Sequence, residues 1–143
     1  AYTVADSERR KIYGCVEQSF HMVPGSIRDQ ITLFDREISD EDVVRAAKLV
    51  GLDDTIRSFE NGYDTPCTPS MLSQGQWQLL SIARAVAADP RILLLDEITA
   101  NLDAETEEKV LEALKRASAS RTVLSISHRL FEHTGGRIIN IAP

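Results

Sequence analysis

The apolar run Ile92–Leu95 ends in two adjacent acids, Asp96 and Glu97. On a strand, neighbouring residues point to opposite sides, so the two carboxylates have different tasks. A carboxylate at Asp96 suits Mg2+, held directly or through its waters. A carboxylate at Glu97 suits the removal of a proton from an attacking water. A strand that merely ends in solvated acids fits the same residues.

Three further places carry chemistry of a matching kind. In LSQGQ (72–76), Ser73 fits the cap of a following helix and Gly75 allows close approach to the backbone. Unpaired amides and the positive end of the helix dipole would make that start an anion site, suited to a phosphate. An ordinary serine N-cap fits equally. In TVLSISHR (122–129), His128 follows a strand and lies in the same edge region as the acid pair, within reach of a terminal phosphate. A surface histidine at a strand end is the plain alternative. Gln18 follows another apolar run, and its amide oxygen could ligate Mg2+ and order a water; a lone glutamine by itself says little. His21 and His133 have no such placement and read as surface or packing residues.

The elements that must position these groups are legible from pattern. Residues 12–16 (IYGCV) read as a buried strand. Pro24-Gly25 marks a turn, and Ser26 with Asp29, then Ser39 with Asp42, have the spacing of capping boxes. Val43, Ala47 and Val50 share a helical face that Gly51 closes, and 61–70 is turn chemistry throughout. A helix is expected over 76–88, with Leu79, Ile82, Ala83 and Val86 on one face and Pro90 ending it. The run 91–96 reads as a strand buried on both sheet faces. Asp103 is placed to cap a helix to about Ala117, with Val110, Leu111 and Leu114 as its buried stripe. Residues 122–127 and 137–141 complete the strands. Strand, helical insert, strand, helix, strand, strand argues an α/β fold with a largely parallel sheet.

Taken together and in this order, the motifs resemble those of the ATP-binding-cassette (ABC) transporter nucleotide-binding domain. Gln18 matches the Q-loop, Leu72–Gln76 the LSGGQ signature with Gln74 in place of a glycine, and Ile92–Glu97 the Walker B motif. Ala100–Asp103 (ANLD) is similar to the D-loop and His128 to the switch histidine. The resemblance runs from about Lys11 to Ile141. It implies an α/β, RecA-like P-loop NTPase core with a partial parallel sheet, the phosphate-loop strand missing, and an α-helical signature subdomain. The corresponding division is 1–18 for the core strand and Q-loop, 19–88 for the helical subdomain, and 89–143 for the rest of the core.

The resemblance also implies roles. Two such domains would sandwich ATP and Mg2+, with Ser73, Gln74, Gly75 and Gln76 serving a nucleotide held by the partner domain. Glu97 would be the general base, and His128 and Gln18 would sense the γ-phosphate and metal. Asp96 would hold Mg2+ with Gln18, and Asp103 would make a contact across the dimer. The stretch GSIRDQI looks like the exporter type, which places contact with a transmembrane domain near residues 19–34 at the cytoplasmic face of the cell membrane.

One part of the pattern is not in this sequence. Walker A, GxxxxGK[ST], needs a Gly-Lys pair, and none of the seven glycines precedes a lysine. Truncation upstream is the expected account, leaving a piece that alone neither binds nor hydrolyses ATP. An unpaired apolar edge is then expected on the strand at 122–127. CTPSM (67–71) stands where exporters often carry an acidic stretch, and Trp77 reads as packing.

Composition narrows the classes. At 143 residues the chain fits one domain able to bury roughly 68% of its unfolded surface. Its net charge of −6 disfavours a general nucleic-acid surface. The longest aliphatic run has four residues, well short of the roughly 20 that span a bilayer, and AYTVADSERRK is not a signal peptide. Cys15 and Cys67 read as reduced, partly buried thiols. A DNA-maintenance ATPase of the same superfamily would carry a long coiled coil between Q-loop and signature, whereas only 53 residues separate Gln18 from Leu72. A non-catalytic regulatory module is the third class, against which Glu97, His128 and Gln18 stand.

Overall fold

A computed structural model describes residues 12–16, 20–95, 102–119, 121–125 and 137–140. Four strands form one sheet in the order β1 (Tyr13–Val16), β2 (Ile92–Leu95), β3 (Thr122–Ser125) and β4 (Arg137–Asn140). Every neighbouring pair is parallel, and the register places Val16, Leu95, Ser125 and Asn140 side by side at the carboxyl edge.

Between β1 and β2 come α1 (Ile27–Thr32), α2 (Asp40–Leu49), α3 (Asp53–Arg57), a 3-10 turn (Gly62–Asp64) and α4 (Gln74–Val86); α5 (Ala104–Ser118) joins β2 to β3. Local chemistry sets their starts. Ser26 with Asp29 and Ser39 with Asp42 form the two expected capping boxes, each satisfying two amides that a helix start leaves orphaned. Gly51 follows α2 at φ +79°, the left-handed backbone that ends a helix most cheaply with glycine. The turn-rich stretch 61–70 is tied to the start of α1 through Ile27 N–H to Thr65 O at 3.0 Å and Cys67 N–H to Gly25 O at 2.8 Å.

Helix α4 is the central post. Its Leu80, Ile82 and Ala83 are fully buried, and it packs against α1, α2, α5 and β1. It begins at Gln74, two residues before the expected start, because Ser73 itself caps it. At the far end of α5, Arg121 donates to the carbonyls of Pro90 and Ala117 and pairs with Asp89, so the helix exit is bound to the entry of β2.

Three expectations are corrected, the first being that the strand at 12–16 is buried: Ile12, Tyr13 and Cys15 are exposed, and only Gly14 and Val16 are covered. The strand at 92–95 is not buried on both faces: Leu93 and Leu95 are buried while Ile92 and Leu94 are only half-buried. Alternation arises because Gly14, Val16, Leu93, Leu95 and Val123 share the covered face, and Tyr13 and Cys15 on the other face are exposed. The strand at 122–125 does not present an unpaired edge either, since β4 pairs along its whole length. An apolar edge with open N–H and C=O groups takes an available strand of the same chain.

Candidate functional site

The start of α4 is the best-defined part of the expected site. Ser73 has extended backbone, and its hydroxyl oxygen accepts from Gln76 N–H at 3.2 Å. The Gln76 side-chain oxygen in turn accepts from Ser73 N–H at 2.9 Å. This reciprocal box spends one side-chain oxygen of each residue on holding the helix start. Ser73 and Gln74 are exposed, and Gln76 is half-buried. No acidic residue lies in this first turn, whereas α2 carries three there and α5 carries Glu105 and Glu107. The box occupies the Ser73 and Gln76 amides, and what this neutral start of a 13-residue helix offers an anion is the positive end of the helix dipole.

Gly75 has a packing reason for being glycine. It is buried, and a Cβ there would stand 2.1 Å from Thr106 Cγ2 on α5. Thr106 thereby fixes the start of α4 against the first turn of α5, and sequence spacing alone gives no sign of that contact. Just before it, Asp103 has the backbone of an N-cap (φ −69°, ψ 163°), and its carbonyl accepts from Glu107 N–H at 2.8 Å. Its carboxylate makes no capping bond and is exposed, unlike the expected cap.

Beside the signature start lies a cleft of about 470 Å3 bounded by Phe20, Met22, Pro69, Leu72 and Trp77. Trp77 packs on Phe20, with ring centroids 5.0 Å apart at 32°, which bears out its reading as a packing residue. Met22 is 41% exposed and Phe34 62%. Leu33 and Phe34 both have positive φ (52° and 65°), a conformation bulky residues rarely adopt.

Gln18, Asp96, Glu97 and His128 lie outside the described residues, as does His133. In sequence, Gln18 follows Val16 by two residues, Asp96 and Glu97 follow Leu95 by one and two, and His128 follows Ser125 by three. Those three predecessors stand in register at one edge. A carboxylate with an amide oxygen is a donor set suited to a hard cation such as Mg2+. Among the described residues, no group of three acidic, His or Cys side chains forms a metal cluster. Neither cysteine is in a disulfide; Cys67 is half-buried and Cys15 is exposed, where partial burial was expected of both. His21 is exposed, as expected.

Four parallel strands, with helices joining β1 to β2 and β2 to β3, define an α/β domain of the class that binds ligands beyond its carboxyl strand ends. A family model described as ABC transporter matches residues 3–100. The chain belongs to that family, and ATP is the nucleotide the family implies. It is 44% identical to the ABC transporter ATP-binding protein YfiC of Bacillus subtilis over 90% of its own length. Identity is 41% over 96% to the mycobactin import ATP-binding/permease protein IrtA of Mycolicibacterium smegmatis. It is 43% over 92% to the human mitochondrial potassium channel ATP-binding subunit. The chain covers 22%, 17% and 18% of those relatives, so it spans about a fifth of each. Among the described residues, no helix is long and apolar enough to cross a membrane.

Proposed function

We propose that this chain supplies the signature, Walker B, D-loop and switch-histidine portion of an ATPase that powers export through a transmembrane domain at the cytoplasmic face of the cell membrane. The observation that carries the reading is the registered carboxyl edge of β1, β2 and β3, from which the chain runs on to Gln18, to Asp96 and Glu97, and to His128. Glu97 takes the proton of the attacking water, and His128 and Gln18 orient the terminal phosphoryl group. Asp96 and Gln18 would hold Mg2+, which when bound neutralises charge on the phosphate oxygens.

Ser73, Gln74, Gly75 and Gln76 would act on a nucleotide held by a second nucleotide-binding domain. The exposed Ser73 and Gln74, the acid-free first turn and the uncapped carboxylate of Asp103 support that role. The 143 residues contain no phosphate loop, so this chain by itself neither holds nor hydrolyses ATP appreciably. The exposed Met22 and Phe34 and the cleft at Phe20 and Trp77 support placing the transmembrane contact at 19–34. One relative's name specifies import, so the export direction rests on GSIRDQI alone.

The test uses the full-length protein that carries this chain. Glu97→Gln is expected to lower turnover by about 10²–10⁴-fold while nucleotide-dependent pairing persists. Unchanged ATPase activity in that variant would overturn the role given to Glu97.

A further inference from the structure

Arg84, in the third turn of α4, is half-buried and grips two distant segments at once. Its Nε donates to the Gln30 carbonyl at 2.5 Å, one terminal nitrogen to the His21 carbonyl at 2.9 Å, and the other to Gln30 Oε1 at 3.4 Å. The guanidinium carbon lies 4.1 Å from the Phe20 ring centroid, and that ring packs on Trp77 of the same helix.

Gln30 is fully buried and extends the grip. Its Nε2 donates to Val23 O at 2.7 Å and Ser26 O at 3.2 Å, while its Oε1 accepts from Val23 N–H at 2.9 Å. Residues 20–23, which have no regular structure, are therefore held by side chains of α4 and α1. Only a forked, flat cation reaches two carbonyls and an aromatic face together; a lysine ammonium reaches fewer of them.

We propose that Arg84 is a positioning residue that binds residues 20–23 to α4, so that the segment following Gln18 and the signature start at Ser73 move as one body. Resting on the proposed ATPase reading, this assigns a group outside the phosphate site to the relative placement of two of its parts. Helix α4 carries the link, because Ser73 and Arg84 are separated by only about 16 Å of continuous helix.

Arg84→Lys in the full-length protein tests it, with Mg-ATP as the probe. The expected result is faster amide exchange at Val23 and a kcat lowered about tenfold, the order of effect that losing a charge-assisted hydrogen bond commands. The KM for Mg-ATP is expected to stay within about twofold, because Arg84 donates to the His21 and Gln30 carbonyls about 16 Å along α4 from Ser73. A variant that loses only thermal stability, or that exchanges faster at Val23 with kcat unchanged, overturns the proposal. Should Arg84→Lys fail to accumulate, Phe20→Leu removes the ring beneath the guanidinium. A fall in kcat at constant KM then supports the assignment, and an unchanged kcat overturns it. Wild-type ATPase insensitive to Glu97→Gln would instead sink the underlying reading; exchange at Val23 alone then decides whether the segment and α4 are one body.

Discussion

Asp53 is a buried carboxylate whose charge is held by two partners. Tyr63 O–H donates to its Oδ1 at 2.5 Å, and Arg57 Nε donates to both oxygens at 3.0 Å. The tyrosine hydroxyl, more than the arginine, keeps the Asp53 carboxyl below the usual carboxylate range despite burial. Burial first, and then the bond to Asp53, pushes the Tyr63 phenol above its ordinary value. The signs give two limbs. A depressed carboxyl contributes stability that is complete above its unfolded value near 4 and is lost as pH falls through the folded value. A raised phenol contributes stability present below its unfolded value near 10 and lost as pH climbs past it. Tyr63→Phe is expected to cost about 1 kcal/mol at pH 7, with the gap to the parent narrowing below about pH 4. Denaturant titrations at both pH values, followed through the single Trp77, check this. A gap independent of pH would show that the hydroxyl does not hold the charge.

Helix starts were the most legible elements, because a capping box needs only residues three apart and the pairs Ser26–Asp29 and Ser39–Asp42 announce themselves. Contacts between elements were not legible, since no pattern links Gly75 to Thr106 or Arg84 to Gln30. Two glycines show what such contacts demand. A Cβ on Gly14 of β1 would stand 2.4 Å from the Ala85 carbonyl oxygen of α4, an atom fixed in a helix. Gly14→Ala therefore has to lift the strand off α4, with an expected cost of about 1–3 kcal/mol. Gly75→Ala meets a methyl instead, which a rotation of Thr106 partly relieves. Its cost should be smaller, near 1 kcal/mol after any gain from alanine's helix preference. Thr106→Ser removes the obstructing methyl, so the double variant Gly75→Ala/Thr106→Ser should recover most of that loss. A double-mutant cycle showing simple additivity would mean that the two helices do not meet at this point.

Across the whole molecule, the parallel direction of the strands followed from sequence, because helical patterns between apolar runs leave few arrangements, whereas their order did not: β4 lies beside β3, where an open edge was expected. The two faces of the sheet did not, because four-residue apolar runs such as Ile92–Leu95 do not reveal which side is covered. The structure divides them: Val16 and Leu93 are sealed, while Cys15 faces outward beside exposed Tyr13. The second cysteine is a built-in reference, since Cys67 is half-buried and burial pushes its thiol above the ordinary range. Thiolate is the reactive form, so burial slows Cys67 twice, by limiting access and by lowering its ionised fraction. Maleimide labelling of the folded chain at pH 7, read by peptide mass, should modify Cys15 severalfold faster than Cys67. In denaturant the two rates should converge. Equal rates in the folded chain would mean that the outward face is covered. Repeating the labelling on the full-length protein then carries the argument further: protection of Cys15 there, with Cys67 unchanged, would show that residues outside these 143 pack on this face of the sheet.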